Sequence, residues 1–482
     1  MLPWLCLLVC AMATGCQGQT QGRAPWTGPA FQETACDLQG MAPDVASRLQ
    51  CGTVSVPRDH DHPDEGVFAL AVVIIHPRLQ EPGAAPVLFI HGGPGSPLTA
   101  QAAQIARVES ANIARNRELI LLDQRGSGRS EPALCPNLAQ DQLDVIARPR
   151  RTEEMLAAWH ATYADCQQAL SRDGIEPSWF GTSVTVRDIE ILRQALGIAR
   201  WNVYARSYGT EVAMTLQARH PETLRAVILD SVYPPDPLPL SRAQTFDAAL
   251  GAMFRACAGD PACATAHPDL PKIFQETMDR LAQTPLTIPL TPFYQLSLSP
   301  IPFRIVVNQS LYFRPLLAYL PKVIQAVHDA DTTFLRPVVG HQLQQFLATS
   351  WGDNAVVECR DRPSLQAQAV DRTQDGSPVT FSLQGICRNW ITPGQPGEIA
   401  LNTAIPTLLL AGEIDPITPP IFARLTADRL GPKARLITFP NVGHDVEEST
   451  PCGADIVTQF MRDPDAALNI DCVAKVAPVV FH

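Results

Sequence analysis

Two patterns of hydrophobic and polar positions alternate along this chain. Short runs that are apolar almost throughout occur at 67–77 (VFALAVVIIHP), 86–91 (PVLFIH), 116–126 (NRELILLDQRG), 201–205 (WNVYA) and 226–232 (AVILDSV). Such runs predict strands buried on both faces, the habit of a parallel sheet. Between them lie stretches with helical spacing: 152–171, then 187–198 with Ile189, Leu192 and Leu196 on one face, then Glu211 to Arg219. Strand and helix in this alternation predict an α/β fold with crossover connections. The rhythm stops after Tyr233-Pro234-Pro235, and roughly 165 residues of mixed helical and Pro-rich sequence follow. It resumes with TLLLAG (407–412), a helix around 421–430 and RLITFP (435–440). The economical division is a leader at 1–16, a tether or extension at 17–44, a first core part at 45–235, a cap insertion at 236–400 and a second core part at 401–482.

Composition narrows the class. The chain has 482 residues, 46% hydrophobic and 18% charged, which excludes a disordered chain, a coiled coil and a polytopic membrane protein. Its net charge of −11 repels phosphate backbones and argues against nucleic acid as a partner. The 44 prolines are spread along the chain and read as rigid loops.

The N-terminus and the cysteines point to export. MLPWLCLLVCAMA is too short to span a bilayer and has the length of a signal-peptide core, although no Lys or Arg precedes it. Two exits are open. Ala11-Met12-Ala13 resembles an A-x-A cleavage site, and Ala13-Thr14-Gly15-Cys16 resembles a lipobox in which Cys16 would carry lipid as a membrane anchor. Beyond the leader ten cysteines remain, an even number that suits disulfides in an oxidising periplasm, cell envelope or exterior. Pairing of neighbours predicts 36–51, 135–166, 257–263, 359–387 and 452–472; buried free thiols are the alternative. No C-x-x-C or His-containing ligand spacing appears, so no zinc site is expected.

Three segments each follow a predicted strand with a residue type that acyl transfer needs. Ala205-Arg206-Ser207-Tyr208-Gly209 sits between strand and helix, where a sharp turn exposes a serine hydroxyl and admits only small neighbours; Ala205 replaces the usual first glycine. Asp415 follows TLLLAG, with Glu413 and Asp230 as competing acids, and His444 follows RLITFP. The order Ser207, Asp415, His444 matches that of a serine hydrolase on an α/β sheet, with His444 as base and Asp415 orienting it. The glycines of His91-Gly92-Gly93-Pro94-Gly95 let backbone approach a substrate carbonyl, so an amide there pairs with that of Tyr208 as an oxyanion hole.

HGGPG, the block DQRGSGRS (123–130) and ARSYGT together resemble the proline iminopeptidase branch of the α/β-hydrolase serine peptidases. Cys387-Arg388-Asn389-Trp390, LLLAGEIDPITPP, NVGHDV and Cys452 with Cys472 resemble the C-terminal part of secreted bacterial tripeptidyl aminopeptidases. The resemblance spans roughly 45–475 and implies an α/β-hydrolase fold, a mostly parallel sheet flanked by helices with a large, mostly helical cap. It implies Ser207, Asp415 and His444 as the triad, Gly93 and Tyr208 amides as the oxyanion hole, peptide substrates cut near a free N-terminus, and no cofactor. An exopeptidase also needs an acid for the substrate's α-ammonium group, and Glu358 and Asp361 are the candidates. Asp123 and Arg125 are expected to build a structural turn under the oxyanion loop. A carboxylesterase on the same triad and a non-catalytic envelope lipoprotein are the competing readings.

Overall fold

The computed structural model describes residues 25–108, 114, 116–235, 237–291, 294–367, 383, 386–387, 401 and 404–482. The leader, Cys16 and Arg388 to Trp390 lie outside them. The main sheet has nine strands among the described residues: β1 (Phe31–Thr34), β2 (Leu49–Pro57), β3 (Val67–Ile75), β4 (Val87–Ile90), β5 (Leu119–Leu122), β6 (Trp201–Arg206), β7 (Leu224–Asp230), β10 (Thr407–Gly412) and β11 (Ala434–Phe439). Their order is β1-β2-β3-β5-β4-β6-β7-β10-β11. The β1–β2, β2–β3 and β3–β5 pairs are antiparallel, and all later pairs are parallel.

The unbroken apolar runs are explained by burial on both faces. Along β4, β6 and β10, Leu88, Ile90, Val203, Ala205, Leu409 and Ala411 enter one core. The alternate residues Val87, Phe89, Tyr204, Leu408 and Leu410 enter the other. With no face left for water, the sequence has no polar positions to alternate. Helix α1 (Thr182–Ala195) packs on α2 (Tyr208–Arg219), which covers β4, β6 and β7; α6 (Pro420–Leu430) covers β10 and β11.

Between β7 and β10 the described residues carry helices, among them α3 (Arg242–Gly259), α4 (Pro300–Tyr312) and α5 (Trp351–Asp361), and a hairpin of β8 (Leu286–Pro289) and β9 (Gln295–Leu298). α3 opens with a reciprocal cap, in which Ser241 Oγ accepts from Gln244 N and Gln244 Oε1 accepts from Ser241 N. Phe246, Leu250, Phe303, Leu311 and Leu335 of this segment join the same core as one face of the sheet. The cap is therefore packed as part of the hydrophobic interior.

Four strands were not anticipated. β1 lies inside the supposed tether and is exposed along most of its length, so it lacks an apolar signal. It is held by its pairing with β2, by the Cys36–Cys51 bridge and by Phe31, whose ring lies over Gly52; a Cβ there would sit 2.4 Å from the ring. β2 buries only alternate residues such as Val54 and Val56, and the short β8–β9 pair lies within the Pro-rich cap. The ten cysteines pair as neighbours: 36–51, 135–166, 257–263, 359–387 and 452–472. Among the described residues no helix is long and apolar enough to cross a membrane.

Candidate active site

Ser207 occupies the turn between β6 and α2 with φ 57° and ψ −129°. This is a left-handed conformation that a side chain adopts only when its surroundings force it. Two contacts do so. Ser207 N donates to Asp230 O at 3.0 Å, and α2 runs so close to β4 that a Cβ at Gly209 would lie 2.3 Å from Ile90 O. Ala205 is fully buried in the first small position, so its methyl is accommodated in the core. The HGGPG loop meets the serine directly: a Cβ at Gly92 would lie 2.6 Å from Ser207 Cβ and 3.1 Å from Oγ. Gly93 follows with φ 110°, and Tyr208 begins α2, where backbone N–H groups and the helix dipole favour negative charge.

The HGGPG loop is held from below and from above. Asp123, fully buried at the end of β5, accepts from Leu98 N and Thr99 N through Oδ1 at 2.7 and 2.8 Å. Its Oδ2 accepts from Thr99 Oγ1 at 2.6 Å and Arg129 N at 2.9 Å. From the cap, Ser350 N donates to Gly95 O at 2.8 Å and Asn354 Nδ2 to Pro94 O at 3.2 Å. Arg125 joins Asp188 in a buried pair and donates to Arg58 O, Trp179 O and Pro57 O.

Asp415 and His444 come together from the ends of β10 and β11. Gly412 makes the approach possible, since a Cβ there would lie 1.9 Å from Gly443 O. His444 Nδ1 donates to Asp415 Oδ2 at 2.8 Å, and both side chains are shielded from solvent. Asp415 also accepts from Ile417 N and Thr418 N at 2.8 Å each and from Thr418 Oγ1 at 2.6 Å. Burial raises the Asp415 carboxyl, but the His444 charge and these hydrogen bonds outweigh it and hold the group below its usual range. An ionised Asp415 keeps the proton on Nδ1 and leaves Nε2 as the basic nitrogen.

The competing acids have other partners. Asp230 accepts from Tyr204 Oη at 2.8 Å and from Val446 N and Glu447 N at 3.0 and 2.9 Å. Glu413 accepts from Asn441 N at 3.4 Å. The two acids expected at the α-ammonium group are likewise engaged. Glu358 accepts from Tyr233 Oη at 3.3 Å and pairs with Arg362 Nε at 3.1 Å; Arg362 also pairs with Glu211. Asp361 accepts from Thr182 N at 2.7 Å at the start of α1. Both expectations used chain position alone, which does not reveal a neighbouring arginine or helix end.

Several groups were missed. Tyr312, the last residue of α4, stacks on His444 with ring centroids 4.1 Å apart; its carbonyl accepts from His444 N at 3.0 Å. His91 is driven down to about 3 by burial, reinforced by Arg206 and then His444, and is therefore neutral. Asp353, 2% exposed, has an Oδ1 with no hydrogen-bond partner, and burial lifts its carboxyl well above the usual range. That Oδ1 lies against Gly126, where a Cβ would come within 2.6 Å. No sequence motif marks Tyr312 or Asp353. Among the described residues no group of three or more His, Cys, Asp or Glu is placed to hold a metal ion.

The alpha/beta hydrolase fold family matches residues 85–448, three quarters of the chain, and so takes in β4 through β11 and the three residues just described. The chain belongs to the α/β hydrolase fold family. It is similar to serine protease Hip1 of Mycobacterium tuberculosis (strain ATCC 25618 / H37Rv), at 23% identity over 96% of this chain and 95% of that protein. It is 28% identical to the tripeptidyl aminopeptidase of Streptomyces lividans over 44% of this chain and 40% of that protein. It is 30% identical to carboxylesterase B of M. tuberculosis (strain CDC 1551 / Oshkosh) over 51% of this chain and 48% of that protein.

Proposed function

We propose that this protein is an exported serine exopeptidase that hydrolyses peptides near a free N-terminus. One observation carries the reading: a buried imidazole, bonded through Nδ1 to a buried carboxylate, lies at the same edge of the sheet as a serine in a strained strand-to-helix turn. Ser207 Oγ attacks the scissile carbonyl while His444 Nε2 takes its proton. The oxyanion that forms is held by the Gly93 and Tyr208 amides. His444 returns the proton to the leaving amine, which departs with the C-terminal part of the peptide. Water, deprotonated by His444, then releases the acyl group and regenerates Ser207.

The names of Hip1 and the Streptomyces aminopeptidase support a peptidase, and the five disulfides support an oxidising compartment. Because Glu358 and Asp361 are engaged elsewhere, Asp353 is the better candidate for the α-ammonium group. Its buried Oδ1 has no hydrogen-bond partner, and a substrate cation would both satisfy that oxygen and favour the ionised form that burial disfavours. The likeness to carboxylesterase B favours a second reading, an esterase on the same triad.

Peptide amides with free and with blocked N-termini separate the two readings: the exopeptidase cleaves only the free form, and equal rates on both would establish a hydrolase indifferent to the amine. A fluorophosphonate probe is expected to label the wild type and not Ser207→Ala. Labelling that survives this substitution would place the nucleophile elsewhere.

A further inference from the structure

The charges around His444 do not balance. Asp415 holds Nδ1, while at the opposite edge of the ring Nε2 lies 3.5 Å from Asp445 Oδ1. Both of these atoms are buried, and neither has a hydrogen-bond partner. Behind Asp445, Arg206 Nε stands 3.6 Å from the same Oδ1. That guanidinium also faces Glu447 at 3.5 Å and Glu448 at 3.0 Å. Asp230 approaches from the end of β7, Tyr312 covers the ring from the cap and neutral His91 approaches from the loop after β4. Around the imidazole, then, are the acids Asp415, Asp445, Asp230, Glu447 and Glu448, with Arg206 as the cation among them.

An excess of carboxylates stabilises a protonated imidazole and destabilises its own ionisation. Both effects are present. Burial alone would lower His444, yet Asp415 and then Asp445 raise it above the ordinary histidine range. Asp445 itself is raised, chiefly by burial and, against the opposing charges of Arg206 and His444, by Glu448 and Asp415.

We propose that Asp445 is a positioning residue that brackets His444 from the Nε2 edge between turnovers, opposite Asp415, and so sets the pH at which the base is released to Ser207. The inference rests on the triad reading above. While the ring is protonated, Nε2–H is drawn to Asp445. When that proton passes to solvent the attraction ends, and the Nε2 lone pair is free to accept the Ser207 hydroxyl proton. The backbone of Asp445 is held in a left-handed conformation at this edge, with φ 60°, and its amide donates to Ser231 Oγ at 2.9 Å.

The test is the pH dependence of kcat/KM on a peptide amide with a free N-terminus, or of fluorophosphonate labelling rate. Asp445→Asn removes a negative charge from the imidazole, so the acidic limb is expected to move down by about one pH unit. On the steep part of that limb the rate rises up to about tenfold. The readout is the midpoint of the limb and not the plateau. Glu448 is half exposed, and Glu448→Gln tests the same field without disturbing the core; removing this rival for Arg206 is expected to move the limb down by a smaller amount. A midpoint that stays in place in both variants overturns the proposal. Labelling of Ser207→Ala at wild-type rate would instead overturn the triad reading, and the two failures are thereby distinct. If Asp445→Asn does not fold, as judged by its thermal melt, the Glu448→Gln midpoint decides alone.

Discussion

Two arginines, each close behind the end of a strand, show how differently this fold treats buried charge. Arg125, beyond β5, meets Asp188 through two hydrogen bonds of 2.5 and 2.6 Å and gives its remaining donors to Arg58 O, Trp179 O and Pro57 O. One cation is matched to one anion, with short bonds on every side. Arg206, at the end of β6, is shared among Asp445, Glu447 and Glu448 at 3.0–3.6 Å. Where a buried ion pair serves only the scaffold, geometry can be optimised to offset desolvation. Next to an imidazole proposed to gain and lose a proton, a carboxylate tightly paired with a cation would act on the ring more weakly. The contrast predicts that disturbing Arg125 changes stability and that disturbing the acids around Arg206 changes the pH profile.

The largest effect is expected at the acid bonded to His444 itself. Asp415→Asn reverses the tautomer preference of His444, and kcat should fall by about 10⁴-fold with the thermal melt retained. An unchanged kcat would remove Asp415 from the site. Arg125→Met strands Asp188 and is expected to destabilise the fold by about 3–5 kcal/mol in denaturant unfolding. The acidic limb of its activity profile should stay in place; a moving limb would erase the distinction between the two regions.

Acid sharpens the same point. Burial raises the Asp188 carboxyl, but Arg125 and His60 outweigh it and hold the group below its usual range. The pair therefore stabilises the fold above the unfolded-state value near pH 4, and that contribution is lost as the pH falls through the lower folded value. Asp188→Asn should flatten this acid branch of the stability curve, and an unaltered branch would assign acid unfolding to other groups. Reductant is expected to lower the melting temperature, since loss of a native disulfide costs about 2–5 kcal/mol; an unmoved melt would mean that the bridges do not support the folded state. The smallest effect belongs to Tyr312→Phe, which keeps the ring on His444 and loses one hydroxyl. Its kcat/KM should change by less than about tenfold, with a larger loss in Tyr312→Ala.

Much of this was legible in the chain. The strands that carry the site are short; β4, β6 and β10 are buried on both faces, and β11, although partly exposed, still shows the run RLITFP, so all four could be read within a residue or two. β1 escaped because an exposed edge strand has no apolar face to display, and β2 because only its alternate residues enter the core. Disulfide pairing was legible because each cysteine joins its neighbour along the chain. What Glu358 and Asp361 bond to was not legible, because an acid's partners depend on what lies across the fold from it. For Glu358 that neighbour is Tyr233, and for Asp361 it is the first turn of α1.

By itself, then, the sequence determined the α/β layering, the ends of the strands where chemistry can occur and the residue types offered there. These depend on local periodicity and on turns that tolerate only small side chains, both of which are written in consecutive positions. Only the tertiary structure decided which acid bonds His444, that Tyr312 covers it and that Asp445 stands at its free edge. Those choices depend on distances of a few ångströms between segments far apart in the chain, where Coulomb and hydrogen-bond energies change steeply and linear order has nothing to say.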